Sequence, residues 1–151
     1  MIKTVALGAD HGGYELKNAV KEHLQSRGIA VIDCGTNSAE SVDYPDMAVP
    51  PCKLVLTKKS DVALLFCGTG VGISIAANKI KGIRACCCSD VFSATYTRLH
   101  NDANALCMGG RVVGAGLACM IADAFIDNEF EGGRHALRVA KITALEKESF
   151  C

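Results

Sequence analysis

Val62-Ala63-Leu64-Leu65-Phe66, followed by Cys67-Gly68-Thr69-Gly70-Val71-Gly72-Ile73-Ser74-Ile75-Ala76-Ala77-Asn78-Lys79, is the stretch on which the fold turns. Five apolar residues of this bulk make a fully buried strand. Glycines at 68, 70 and 72 interrupt the run, and Ile73, Ala76, Ala77 and Ile80 then follow at helical spacing. A strand that ends in glycines and turns into a helix presents backbone N–H groups beside a positive helix end, which makes an anion cradle. Cys67 stands at its lip, where the same field favours a thiolate. Two familiar glycine loops are excluded by spacing. The dinucleotide fingerprint needs a glycine where Ile73 stands, and the nucleotide-hydrolase phosphate loop needs Gly-Lys-Ser/Thr. Taken alone, Gly-x-Gly-x-Gly is equally consistent with a tight turn.

The pattern extends in both directions. Thr4–Ala9, Ala30–Cys34, Val62–Cys67, Ile83–Cys88 and Ala105–Met108 read as strands. Between the first two, Leu16, Ala19, Val20 and Leu24 recur at helical spacing, and Gly28 supplies a stop. Ser93–Leu99, Leu117–Ile126 and His135–Lys147 read as further helices. A helix between the second and third strands is expected to begin near Pro50 or to kink there, because Pro50-Pro51 interrupts Met47–Lys59. Strands alternating with helices imply an α/β fold with a parallel sheet covered on both faces. Sites in such sheets lie beyond the carboxyl ends of the strands. The polar clusters follow strand ends: Asp10-His11-Gly12-Gly13, the loop with Asp43-Tyr44-Pro45, the Cys67 loop, Ser89-Asp90 and Gly109-Gly110-Arg111.

At 151 residues the chain is expected to be one domain, 1–151. Sixteen basic residues balance sixteen acidic ones, which points away from nucleic acid and acidic membrane surfaces. No signal segment or membrane span is legible, so a cytoplasmic protein is expected. Nine cysteines, the last of them Cys151, include no Cys-x-x-Cys and no zinc-finger spacing. Consecutive residues of a strand face opposite sides, so Cys86-Cys87-Cys88 reads as structure rather than as a metal site.

Four motifs, Gly8-Ala9-Asp10-His11-Gly12-Gly13, Asp43-Tyr44-Pro45, Cys67–Lys79 and His100-Asn101-Asp102-Ala103-Asn104 with Gly110-Arg111, stand in order along the chain. The tail Glu131-Gly132-Gly133-Arg134-His135, with Arg138, adds a fifth. The set resembles the type B ribose-5-phosphate isomerases, whose superfamily includes the galactose-6-phosphate isomerase subunits. The resemblance covers essentially the whole chain. It implies a three-layer α/β/α Rossmann-like fold with a five-stranded parallel sheet. It implies a metal-independent aldose–ketose isomerase without cofactor, interconverting ribose 5-phosphate and ribulose 5-phosphate through an enediolate.

The same resemblance assigns roles. Cys67 becomes the base that moves the C2 proton to C1, and Thr69 orients protons between the two oxygens. Gly68, Gly70 and Gly72 form an oxyanion loop. His100 assists ring opening with Asp10 as its partner on the sugar hydroxyls, and Tyr44 and Asn101 contact the substrate. His11, Arg111, Arg134 and Arg138 take the phosphate. Arg134 and Arg138 belong to a C-terminal helix, about 132–148, that reaches a neighbouring subunit, so a homodimer with its active site at the interface is implied. Without the resemblance each residue has a plainer reading. Cys67 could be a buried hydrophobe, Thr69 a loop hydroxyl, His100 a helix-end polar residue, Asp10 a helix cap and Tyr44 a packing residue. Arg134 and Arg138 could be a solvated face. A hexose 6-phosphate isomerase, for galactose or allose derivatives, is the nearest rival. A non-catalytic sugar-phosphate sensor would have little reason to carry both Cys67 and His100, and a thiol redox protein would be expected to carry Cys-x-x-Cys.

Overall fold

The alternation of strands and helices is realised in the computed structural model, which describes residues 1–148 and leaves Cys151 outside. Strands β1 (Thr4–Ala9), β2 (Ala30–Asp33), β3 (Val62–Cys67), β4 (Ala85–Cys87) and β5 (Ala105–Gly109) form one sheet. Its order is β2-β1-β3-β5-β4, with all pairs parallel. β1 and β3 begin and end where their apolar runs do. The expected fourth strand is trimmed to Ala85–Cys87, because its ladder to β5 starts only where β5 itself starts, at Ala105.

Helices α1 (Tyr14–Ser26), α4 (Val91–Asn101) and α5 (Ala115–Ile126) cover one face; α2 (Tyr44–Leu56) and α3 (Val71–Ala77) cover the other. β3 serves both faces. Val62, Leu64 and Phe66 join the core under α1, α4 and α5, while Ala63, Leu65 and Cys67 join Ala48, Cys52, Ile73 and Ala77. All six β3 residues are buried, as a central parallel strand requires. The last helix, α6 (Arg134–Leu145), packs on α4 and is shorter than the sequence suggested. Of its residues only His135 is buried. No helix among the described residues is long and apolar enough to cross a membrane.

α2 begins earlier than Pro50. It starts at Tyr44, with Pro45 in its first turn, and runs through both Pro50 and Pro51. The prolines have no N–H to offer the carbonyls of Asp46 and Met47 four residues back. Gly8 of β1 is what admits this arrangement, since a Cβ there would stand 2.6 Å from the Met47 oxygen and 2.8 Å from Pro51 Cγ. Two prolines do not end a helix when the neighbouring strand leaves room for the carbonyl they release.

Candidate active site

The strand order reverses between β1 and β3, and a doubly wound sheet opens a crevice at that point beyond the carboxyl ends. Cys67 ends β3 there, with only 4% of its surface exposed. Its Sγ accepts the Gly70 N–H at 3.1 Å, at the mouth of α3. Gly70 begins that helix in a left-handed conformation, φ 78°. A Cβ on it would stand 2.8 Å from the Met108 carbonyl carbon and 2.9 Å from the Cys87 sulfur. Gly70→Ala is therefore expected to cost about 1–3 kcal/mol of stability. By moving the N–H off the sulfur it should also lower turnover by about tenfold or more. Thermal unfolding and steady-state rates of the variant check both.

The Gly70 amide thus serves the sulfur in this structure. Around it three loops are knit backbone to backbone. Gly110 N–H donates to the Cys67 carbonyl at 2.8 Å and Arg111 N–H to the Gly68 carbonyl at 3.0 Å. A Cβ on Gly12 would be 3.0 Å from Gly68 Cα, and one on Gly109 would be 2.6 Å from the Thr69 carbonyl. The glycines here are spacers that bring β1, β3 and β5 loops into contact.

The side chains of this end follow. Asp10 is buried, and its Oδ1 accepts the N–H groups of Gly12 (2.8 Å) and Gly13 (3.0 Å). It orders the turn and does not cap α1, whose N-cap residue, Gly13, makes no side-chain bond. His11 Nδ1 accepts the Val42 N–H at 3.3 Å, which places the proton of the neutral ring on Nε2. His11 is thereby prepared as an N–H donor to an anion. Tyr44 lies in the first turn of α2 rather than in a loop, and a Cβ on Gly72 would meet its ring at 2.9 Å. Thr69 is exposed, with its Oγ1 accepting the Val71 N–H at 3.3 Å. The Arg111 guanidinium lies over Gly68, where a Cβ would be 3.2 Å from Nη1.

His100 and Asn101 are elsewhere. α4 leaves the carboxyl end of β4 and runs back, so its eleven residues carry His100 about 15 Å toward the amino ends of the strands. There Arg84, just before β4, donates to the carbonyls of Asn101 (3.2 Å) and Asp102 (2.9 Å). Asp102, left-handed at φ 47°, also accepts Arg98 at 2.6 Å. Asn104 Oδ1 takes the Arg84 N–H, and its Nδ2 donates to the Gly82 carbonyl. Half of the His100–Asn104 motif is therefore scaffolding that holds the other half in place.

A second cluster forms around His100. Its ring stacks on His135, with centroids 4.0 Å apart and planes 6° from parallel, and it lies 4.8 Å from the Tyr96 ring. Glu131 Oε2 is 3.6 Å from His100 Nε2 and 3.7 Å from His135 Nε2. A cleft of about 490 Å³ is lined here by Tyr96, His100, Asn101, His135 and Arg138, together with Cys86–Cys88 on β4. The Arg134 Nε reaches His135 at 3.5 Å. The candidate residues therefore fall into two groups within one chain: Asp10, His11, Tyr44, Cys67, Thr69 and Arg111 at one end, and His100, Asn101, Arg134 and Arg138 around the second cleft. The expected pairing of His100 with Asp10 is not made within a chain. His135, Glu131 and Tyr96 went unassigned in the sequence because nothing in their spacing separates them from the flanking arginines.

Among the described residues, His100, Glu131 and His135 are the group whose ligand atoms come close enough, within 4.8 Å, to consider a metal. Parallel rings direct their lone pairs side by side rather than to one point, which suits a tetrahedral ion poorly. Cys86, Cys87 and Cys88 alternate sides as expected, with Cys86 against Thr97 and Cys87 against the Thr69 carbonyl. Burial pushes the Cys52 thiol up to about 11 and Cys88 to about 12, and raises Cys107 well above the ordinary value. These three are packing residues that stay protonated.

A family described as Ribose/Galactose Isomerase matches residues 5–142. Ribose-5-phosphate isomerase B of Escherichia coli is 51% identical over 146 residues, covering 97% of this chain and 98% of that protein. The structure of Clostridium thermocellum ribose-5-phosphate isomerase B superposes with a TM-score of 0.94 at 50% identity, covering 95% of this chain and 97% of the other. That of Mycoplasma genitalium ribose-5-phosphate isomerase B with bound ribulose 5-phosphate superposes at 0.91 with 38% identity, covering 97% of each.

Proposed function

We propose, from the premise that the chain belongs to the ribose/galactose isomerase family, that it is a ribose-5-phosphate isomerase. The observation that carries the mechanism is the Cys67 sulfur, held at the switch point of the sheet by the Gly70 N–H. A thiolate there takes the C2 proton of open-chain ribose 5-phosphate and returns it at C1. With the Gly70 amide bonded to sulfur, the enediolate oxygens fall to the other amides of the loop, Gly68 and Gly72 among them, with Thr69 moving the proton between oxygens. His11 and Arg111 bind the phosphate. Conversion of ribose 5-phosphate by the native protein with excess chelator tests the reading. Turnover of six-carbon phosphates but not of ribose 5-phosphate would overturn the substrate.

The two groups support a homodimer in which the C-terminal helix and the end of α4 of one copy complete the Cys67 site of the other. His100 then protonates the ring oxygen while Asp10 of the facing copy takes the C1 hydroxyl proton, so the C1–O bond breaks and the aldehyde forms. Asn101 contacts the sugar, and Arg134 and Arg138, four apart on one helical face, fork onto the phosphate. Co-expressing Cys67→Ala with His100→Ala chains is the decisive test. Each variant alone should be nearly inactive, while mixed dimers keep one intact site and restore about a quarter of native activity. No recovery in verified mixed dimers would mean that both residues serve the same chain. Eight free thiols among the described residues fit a reducing interior, and we place the enzyme in the cytoplasm.

A further inference from the structure

We infer that His135 and Glu131 are positioning residues for His100, holding its ring and its proton for the ring-opening step. The inference rests on the isomerase reading above.

His135 is the residue by which α6 is anchored. It is 6% exposed, follows Gly132 and Gly133 at positive φ, and donates its N–H to the Gly132 carbonyl at 3.0 Å. Its ring covers one face of His100, and Tyr96, one turn back on α4, flanks the same imidazole. A histidine on the last turn of a helix would otherwise sample several rotamers; this one is packed against two rings. Glu131 is fixed in turn, its N–H donating to the Leu99 carbonyl at 3.0 Å.

The charges around the pair are unequal. Glu131 is the carboxylate beside both rings, while Arg134 reaches His135 and Arg138 lines the same cleft. Burial, with the neighbouring His100, Arg134 and Arg138, holds His135 below the ordinary histidine range against the pull of Glu131. Arg134 Nε faces His135 Nε2, which calls for a lone pair there rather than a proton. Glu131 Oε2 faces His100 Nε2 at 3.6 Å while His135 covers the face of the same ring. A flat, buried partner keeps that imidazole oriented.

Two reactions of the native chain separate this role from a general structural one. Conversion of ribose 5-phosphate requires the sugar ring to open. Wash-in of solvent deuterium at C1 of ribulose 5-phosphate does not, because a ketopentose phosphorylated at C5 cannot close a five-membered ring. For His135→Gln and Glu131→Gln, kcat on ribose 5-phosphate is expected to fall about tenfold with KM within about twofold. Deuterium wash-in, read by NMR, should stay within about twofold of native. The Glu131 carboxylate is half exposed, so its variant folds and keeps the test open should His135→Gln prove unstable. Equal losses in both reactions, or no loss in either, would overturn the positioning role. A native chain that neither exchanges deuterium nor converts ribose 5-phosphate would instead remove the isomerase reading on which the role depends.

Discussion

Replacing Cys67 with alanine is expected to lower kcat on ribose 5-phosphate by about 10²–10⁴-fold, the usual worth of a positioned base, while leaving the fold and phosphate binding intact. The side chain is small and buried against Ile73 and Ala77, so losing one sulfur atom costs little packing. The residues proposed for the phosphate, His11, Arg111, Arg134 and Arg138, do not depend on it. The signature is therefore a collapse of kcat with the affinity for ribose 5-phosphate, measured calorimetrically, within a few-fold of native. A variant that keeps a tenth of native turnover would move the base elsewhere, and Asp10 would be the next residue to replace.

Asp33→Ala is expected to be the most damaging single change to stability, at about 3–5 kcal/mol. Lys17 is wholly buried, and its Nζ is met by Asp33 Oδ1 and the Thr36 carbonyl, both at 2.7 Å. Removing the carboxylate leaves a buried ammonium with one neutral acceptor. Lys17→Met should cost less, since Asp33 keeps Lys21 at 2.8 Å and the Gly35 N–H at 3.0 Å. Burial works to raise the Asp33 carboxyl, but hydrogen bonds from Lys17, Lys21 and Gly35 prevail and hold it below the ordinary value. For a depressed carboxyl the stabilisation is complete above the unfolded value, about 3.9, and is lost as pH falls through the lower folded one. Urea unfolding at neutral pH and near pH 3 checks both statements: the gap between native and Asp33→Asn should narrow in acid. The pair matters to the site as well. Gly35 and Thr36 bond to both sides of Ala9, immediately before Asp10 and His11.

The two central strands were legible to the residue because their apolar runs are bounded by polar or glycine positions and buried on both sides. The edge was not. Ile83 and Arg84 look as extended as Ala85, but a strand exists only where a neighbour pairs with it, and β5 begins at Ala105. The prolines of α2 misled because local propensity does not register Gly8 across the interface. In the candidate site, the glycine loop with Cys67 at its lip could be read from spacing, whereas a phosphate role for His11, Arg111, Arg134 and Arg138 came only with the family resemblance. That His100 stands away from Cys67 could have been read too: a helix leaving a strand's carboxyl end returns its last residues to the opposite end. The stack of His100 on His135 could not, because the 34 residues between them carry no pattern that predicts a contact.

The placing of Cys67 at the carboxyl end of the sheet and of His100 at the far end of α4 bears on how such a gene can diverge. On the proposed dimer, a duplicated copy could lose its thiol half and its sister the histidine half, and each mixed pair would still hold one working site. Selection would then retain both genes together, because neither product could act alone. A symmetric enzyme built this way carries within its fold a route to an obligate partnership of two unlike chains.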